Sequence, residues 1–208
     1  MHEPVHPPFS AGGEASACQP ESPHLPGDSG VWTFIVADMG AFALFFLLFS
    51  LGRMAAPELY ESSRIHLNAG LGLANTLILL TSSLFMARAV DAARAGRRSS
   101  VVNNLLLTIC IGSGFAATKI FEYIDKAQAG FSPLTNEFFT YYFAFTGIHF
   151  LHFAIGIGAL SWMVGKAQRD ALDQRFVIWI ESVGCYWHMV DLLWIMLFPL
   201  LYLLRWAG

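Results

Sequence analysis

Charge is scarce in this chain: Asp, Glu, Lys and Arg make up 13% of its 208 residues, where an ordinary soluble domain carries about 25%. Cysteine is scarce too. Cys18, Cys110 and Cys185 match neither a disulfide framework nor a metal knuckle. Cys110 and Cys185 lie inside apolar blocks, where a small buried residue is the ordinary reading. The first thirty residues contain no Lys or Arg and six of the nine prolines, which predicts a disordered N-terminal tail over 1–30. A secretory signal does not fit there, because a positive start and an apolar run are both missing. The missing apolar run also argues against lipidation at Ala15-Ser16-Ala17-Cys18, which has only the outline of a lipoprotein cleavage site. A net charge of −3 gives no reason to expect nucleic acid as a partner.

What the chain has is apolar surface, 55% of its residues with a mean hydropathy of +0.52, gathered in long blocks. A helix needs about 20 apolar residues to cross a bilayer core. Five stretches qualify: 31–51, 67–87, 101–124, 138–164 and 176–204. Backbone polar groups in lipid must be bonded internally, so each reads as a helix. The fold class is therefore all-α, a polytopic membrane bundle of five transmembrane helices forming one domain over 31–208. The links at 53–66, 88–100, 125–137 and 165–175 are short. Arg88, Arg94, Arg97, Arg98, Lys166, Arg169 and Arg175 fall on the side of the N-terminus, and Arg53, Arg64, Lys126 and Arg205 on the other. Seven against four favours an N-terminus on the inner, cytoplasmic side and a C-terminus outside. Gly112 and Ala116, and the stretch His152, Gly156 and Gly158, read as places where helix backbones approach closely.

Ionisable residues inside a membrane are costly and mark candidate sites. Here they are Asp38 on the first span, Lys119 and Glu122 on the third, His149 and His152 on the fourth, and Glu181, His188 and Asp191 on the fifth. Residues three or four apart share a helix face. That spacing groups His149 with His152, stacks Glu181, His188 and Asp191 on one stripe, and lets Glu122 pair with Lys119 or Lys126. Three readings stay open on chemistry alone: a metal site built from the histidines and carboxylates, a proton or transport path, and interhelical bonds or lipid-headgroup contacts. Asp38 has no basic residue near it in sequence, so it is neutral, paired across helices, or turned to water.

A resemblance adds to this. The run Glu181-Ser-Val-Gly-Cys-Tyr186-Trp187-His188-Met-Val-Asp191-Leu-Leu-Trp194 resembles the last helix of subunit III of haem-copper oxidases, with Met189 in place of the usual aromatic. Trp32 to Phe42 is similar to the family helix that carries a lipid-buried, carbodiimide-reactive carboxylate, with Asp38 where Glu is usual. Phe121-Glu122-Tyr123 resembles the Glu-Tyr pair, and Thr146-Gly147-Ile-His149-Phe150-Leu-His152 the Thr-Gly-x-His-Gly-x-His motif with Phe150 replacing Gly. Leu67-Asn68 and Thr81-Ser82-Ser83 fit the intervening helix. The resemblance covers about 31–206 and is to the five-helix bacterial branch of the family. It implies a chain that is not catalytic alone and has no metal, haem or copper of its own. Such a chain binds phospholipid, packs on the catalytic subunit that holds haem and copper or iron, and supports that subunit's proton uptake and durability. The His and carboxylate residues, with Tyr186, Trp187 and Trp194, become an interhelical network or lipid cleft, and Asp38 a proton-related carboxylate. Asp38 and the stretch His24 to Trp32 look more like the accessory proteins of nitric oxide reductases in denitrifiers, so the resemblance also admits that partner. A proton-coupled transporter is the rival from another class, without the internal repeat that would favour it.

Overall fold

The computed structural model describes residues 27–204. Six α-helices follow one another: α1 (Ser29–Ala55), α2 (Pro57–Arg64), α3 (Ala69–Arg94), α4 (Arg98–Gln128), α5 (Glu137–Arg169) and α6 (Gln174–Phe198), and α6 runs on into a π-helical turn, Pro199–Leu203. There is no β-strand among the described residues. Five helices are long and apolar enough to cross a membrane, the fifth being α6 with its π-turn. At 1.5 Å per residue they measure roughly 40–50 Å against a hydrocarbon core of about 30 Å. Each runs past its expected span at one end or both, because flanking segments such as Asp91-Ala92-Ala93-Arg94 and Asp125-Lys126-Ala127-Gln128 stay helical beyond the apolar stretch.

Local chemistry sets the ends. Asp28, Asn68, Asn136 and Asp173 each turn a side-chain oxygen onto a free N–H of the first helical turn, the role for which short polar residues are favoured. Ala56 precedes a proline, which disfavours the helical region; its backbone turns to φ −138°, ψ 62°, and Pro57 opens α2 at once. The short helix α2 was not visible as a separate element within the 53–66 link. Gly96 and Gly130 take φ of +66° and +82°, the left-handed cap that glycine adopts without strain. Pro199 has no N–H to donate one turn back. The chain widens there, and Leu204 N bonds Pro199 O at 3.0 Å.

The helix α6 is the hub. It packs on α3, α5 and α1, while α4 lies across α3 and α5. Within the most apolar window of each helix, α6 has 56% of residues buried and α1 only 17%. Side chains facing outward are largely apolar, Val36, Leu47, Met54 and Phe121 among them, as a lipid-facing surface requires. The tail predicted for 1–30 lies outside the described residues up to residue 26. Its last residues are in place: Gly27 N donates to Glu181 Oε2 at 3.1 Å and Asp28 N to Ser182 Oγ at 2.9 Å.

Candidate functional site

The structure distributes the intramembrane polar residues over three places. The first lies inside the bundle. Lys119 and Glu122 on α4 are buried, and Lys119 Nζ donates to Glu122 Oε2 at 2.9 Å and to Tyr202 Oη at 2.9 Å, with Tyr142 Oη at 3.5 Å. Tyr202 in turn donates to Glu122 Oε1 at 2.8 Å. The π-turn presents this phenol. The ammonium also lies 5.0 Å from the Trp194 ring and 5.1 Å from that of Tyr142, within cation–π range. Both charges and both oxygens of the carboxylate are thus engaged, the condition under which a buried ion pair is tolerated. Tyr123 donates to Thr146 Oγ1 at 2.6 Å, and Thr146 to Tyr142 O at 2.6 Å. Lys126, the other candidate partner of Glu122, bonds Asp125 instead at 2.9 Å.

His149 is adjacent but takes no part in those bonds. It is fully buried, its ring 5.4 Å from those of Phe115 and Trp194, and neither ring nitrogen has a protein partner among the described residues. The second place is where His152 turns. Three residues on, it faces α1, with Nε2 3.2 Å from Asp38 Oδ1 and Nδ1 2.9 Å from Ile148 O. Tyr186 donates to His152 O at 3.0 Å. The shared face read for the two histidines is therefore divided by the helix neighbours: one serves α4 and α6, the other α1. Asp38 is paired across helices, one of the three outcomes open to it, and its Oδ2 is buried without a partner.

The third place is the stripe on α6. Glu181 receives Arg94 Nε at 2.9 Å and Arg94 Nη2 at 2.8 Å from α3, besides the Gly27 amide. Ser83 Oγ lies 2.5 Å from His188 Nδ1. Ser83 also faces Asp191, which is buried with no hydrogen bond of normal geometry on either oxygen. The rest of the motif is packing. Trp187 is fully buried, and a methyl added at Gly112 or Gly156 would lie 3.0 or 2.9 Å from its ring. Trp194 Nε1 donates to Thr76 Oγ1 at 3.1 Å. The two glycines thus accept an indole from α6 rather than a bare helix backbone, while Gly158 opens on empty space.

Sequence reasoning passed over Tyr142, Tyr202, Ser83 and the pairing role of Arg94. Tyr142 could have been found from its spacing to Thr146 and His149 on one face of α5. Tyr202 carries no such signal. Outside the spans, burial and the nearby Glu137 carboxylate raise the ionisation of Tyr60 above the ordinary tyrosine range, and the Glu61 carboxylate raises that of Arg64. Arg64 donates to Tyr202 O at 3.2 Å, tying α2 to the π-turn. Among the described residues no three His, Cys, Asp or Glu side chains converge to hold a metal ion.

Comparison with known proteins points the same way along the whole bundle. The family model of cytochrome c oxidase subunit III matches residues 28–207. The chain is similar to cytochrome bo(3) ubiquinol oxidase subunit 3 of Pseudomonas putida, 27% identical over 178 residues, 84% of each chain. It is similar to cytochrome c oxidase subunit 3 of Schizophyllum commune, 32% identical over 185 residues, 86% of this chain and 67% of that one. Haem-copper oxidase subunit I+III of Aeropyrum pernix is 27% identical over 181 residues, 84% of this chain and 22% of that one.

Proposed function

Because the chain belongs to the cytochrome c oxidase subunit III family, we propose that it is the non-catalytic subunit III of a haem-copper oxidase, packing on the catalytic subunit in the membrane. The observation that carries this is the family match across the described bundle, joined to the packing of Tyr186, Trp187 and Trp194 into α3, α4 and α5. A relative named as subunit I+III in a single chain supports subunit I as the partner. Relatives named for quinol and for cytochrome c oxidases favour the oxidase setting over a nitric oxide reductase or a transporter.

In this reading haem and copper reside in the partner, and this chain holds none. His149, His152 and His188 serve α4, α1 and α3 separately. Two grooves flank α1, one lined by Val31, Phe34, Ile155 and Trp179 and the other by Trp32, Ile35, Met39 and Leu192; they take phospholipid, and Asp38 belongs to the proton handling of the complex. The membrane is the bacterial inner membrane, with the N-terminus cytoplasmic. The test is purification of the tagged full chain from its own membranes in mild detergent. Haem spectra and a subunit I-sized partner in the eluate, with no stoichiometric iron, copper or zinc on this chain once it is separated, are expected. A chain that elutes without a haem protein from membranes that respire would overturn the assignment.

A further inference from the structure

Lipid tails offer no hydrogen bond, so a polar side chain on the outer face of a span must find its partner within protein. Thr33, Thr81, Ser113 and Ser161 are exposed on their helices, and each returns its hydroxyl to the carbonyl four residues back. His188 has no such recourse. Its side chain is exposed on α6, Nδ1 is taken up by Ser83 Oγ of α3, and Nε2 has no hydrogen-bond partner among the described residues. Behind it, Asp191 is buried beside Ser83 with no hydrogen bond of normal geometry on either oxygen. A polar line thus runs from the interior to the surface and ends on an open ring nitrogen. Depth decides what can meet it. The span Gln174–Leu203 has 30 residues, with His188 at its centre. Headgroups begin roughly 15 Å away, half the thickness of a hydrocarbon core, so neither a lipid phosphate nor interfacial water reaches the nitrogen. In one tautomer Nε2 donates and in the other it accepts; a hydroxyl or an amide side chain answers both.

The surface around the imidazole suits a second helix. Leu80 and Ala87 of α3 and Leu192 and Ile195 of α6 are exposed around it. Between the two helices a groove of about 200 Å³ starts at His188, passes Ala87, Val90 and Gly184, and ends at Arg94 and Glu181. Small residues such as Ala87 and Gly184 let another helix come close. The groove between α1 and α6 borders this face at His188 and Leu192, so lipid held there lies along the edge of a docked helix rather than beneath it. A hydrogen-bonding side chain at mid-membrane comes from another membrane-spanning chain, and the reading of this chain as subunit III names that chain as the catalytic subunit.

We propose that the α3–α6 face centred on His188 is where a transmembrane helix of the catalytic subunit docks, with a hydroxyl or amide side chain of that helix bonded to Nε2. The partner's identity rests on the subunit III reading; the face rests on the chemistry of this chain. The test uses the complex purified through a tag on the full chain from its own membranes. A benzoylphenylalanine photo-cross-linker at Leu80 or Ile195 should join this chain to the haem-carrying partner, identified by mass, and one at Leu107 or Ile120, exposed on α4, should not. Ala87→Trp, which fills the groove and leaves His188 in place, should strip most of the haem that elutes per chain, whereas Leu107→Trp should not. His188→Phe and Ser83→Ala both break the bond between α3 and α6, but only the first removes Nε2. Haem per chain, read on the chain that reaches the membrane, should fall in His188→Phe and persist in Ser83→Ala. Cross-links from the α4 positions instead, cross-links only to lipid or to a second copy of this chain, unchanged haem in Ala87→Trp, or equal haem loss in the His188 and Ser83 variants would overturn the docking face. Should His188→Phe fail to accumulate, the cross-links and Ala87→Trp still decide. A wild-type chain that elutes without any haem protein would overturn the subunit III reading itself, and the docking with it.

Discussion

Lys119 shows how one residue commits a whole bundle. Its ammonium is buried with a carboxylate, two phenols and an indole face around it. Removing one partner of a buried pair leaves an uncompensated charge, at about 3–5 kcal/mol. Lys119→Met should therefore lower the thermal midpoint of the purified complex and the amount of chain in the membrane. Lys119→Met combined with Glu122→Gln should recover most of that loss, since no bare charge remains; a double variant as unstable as the single one would refute this account. The three-residue spacing of Lys119 and Glu122 was legible in the sequence, but their partners were not. Tyr142 and Tyr202 are brought in from 23 and 83 residues away, and nothing local announces such meetings. Tyr60 gives a pH-dependent counterpart outside the spans. Burial and Glu137 raise its ionisation in the folded chain, so its contribution is present below the usual tyrosine value of about 10 and is lost as pH rises beyond it. Tyr60→Phe should flatten the alkaline fall of the thermal midpoint, and an unchanged fall would mean another group governs it.

At the scale of the helix, the glycines distinguish packing from mere abundance. Gly156 on α5 faces the Trp187 ring and Gly72 on α3 faces Phe198, where an added methyl would lie 2.9 and 2.6 Å away. Overpacking of this kind costs about 1–3 kcal/mol. Gly156→Ala and Gly72→Ala should each lower the thermal midpoint, while Gly158→Ala, with nothing within 4 Å, should leave it near or above the parent value. Equal effects at Gly156 and Gly158 would show that Trp187 packing is not what Gly156 serves. The sequence placed Gly156 and Gly158 together as one close-approach region, because spacing along a helix says nothing about which neighbour faces each residue. The long spans were legible for the opposite reason: a run of about 20 apolar residues has no competing explanation in water. The helix α2 was hidden because eight residues of mixed polarity, Pro57–Arg64, have no periodic signal strong enough to separate them from a loop. His188 joins α6 to α3 through Ser83. His188→Leu should reduce membrane accumulation, because the Ser83–His188 bond lies at the outer surface of the bundle, where lipid offers Ser83 no substitute partner; unchanged abundance and stability would assign the bond no structural weight.

On the scale of the whole molecule, the question is which end of the bundle faces the cytoplasm. Five alternating spans put the start of α1, the α3–α4 turn at Gly96 and the α5–α6 loop at one end. That end is tied together by charge. Arg98 donates to Gln168 O at 3.1 Å and Asp170 O at 2.5 Å, Arg94 reaches Glu181, and Glu181 accepts from Gly27. Orientation follows the number of Lys and Arg beside the spans rather than the net charge, so their pairing does not cancel their influence. Arg88, Arg94, Arg97, Arg98, Lys166, Arg169 and Arg175 lie at this end, against Arg53, Arg64 and Lys126 at the other, with Arg205 outside the described residues. The surplus predicts that this end stays in the cytoplasm. An alkaline phosphatase fused within 92–100 should be inactive, and one fused just after Gly130, at the opposite end, should be active. Replacing Arg94, Arg97 and Arg98 together with Gln removes three of the seven charges and should make the first fusion partly active. The reverse pattern in the parent chain, active within 92–100 and silent after Gly130, would turn the bundle over. It would also place the N-terminal half of α1, with its Asp38–His152 contact, nearer the opposite face of the membrane.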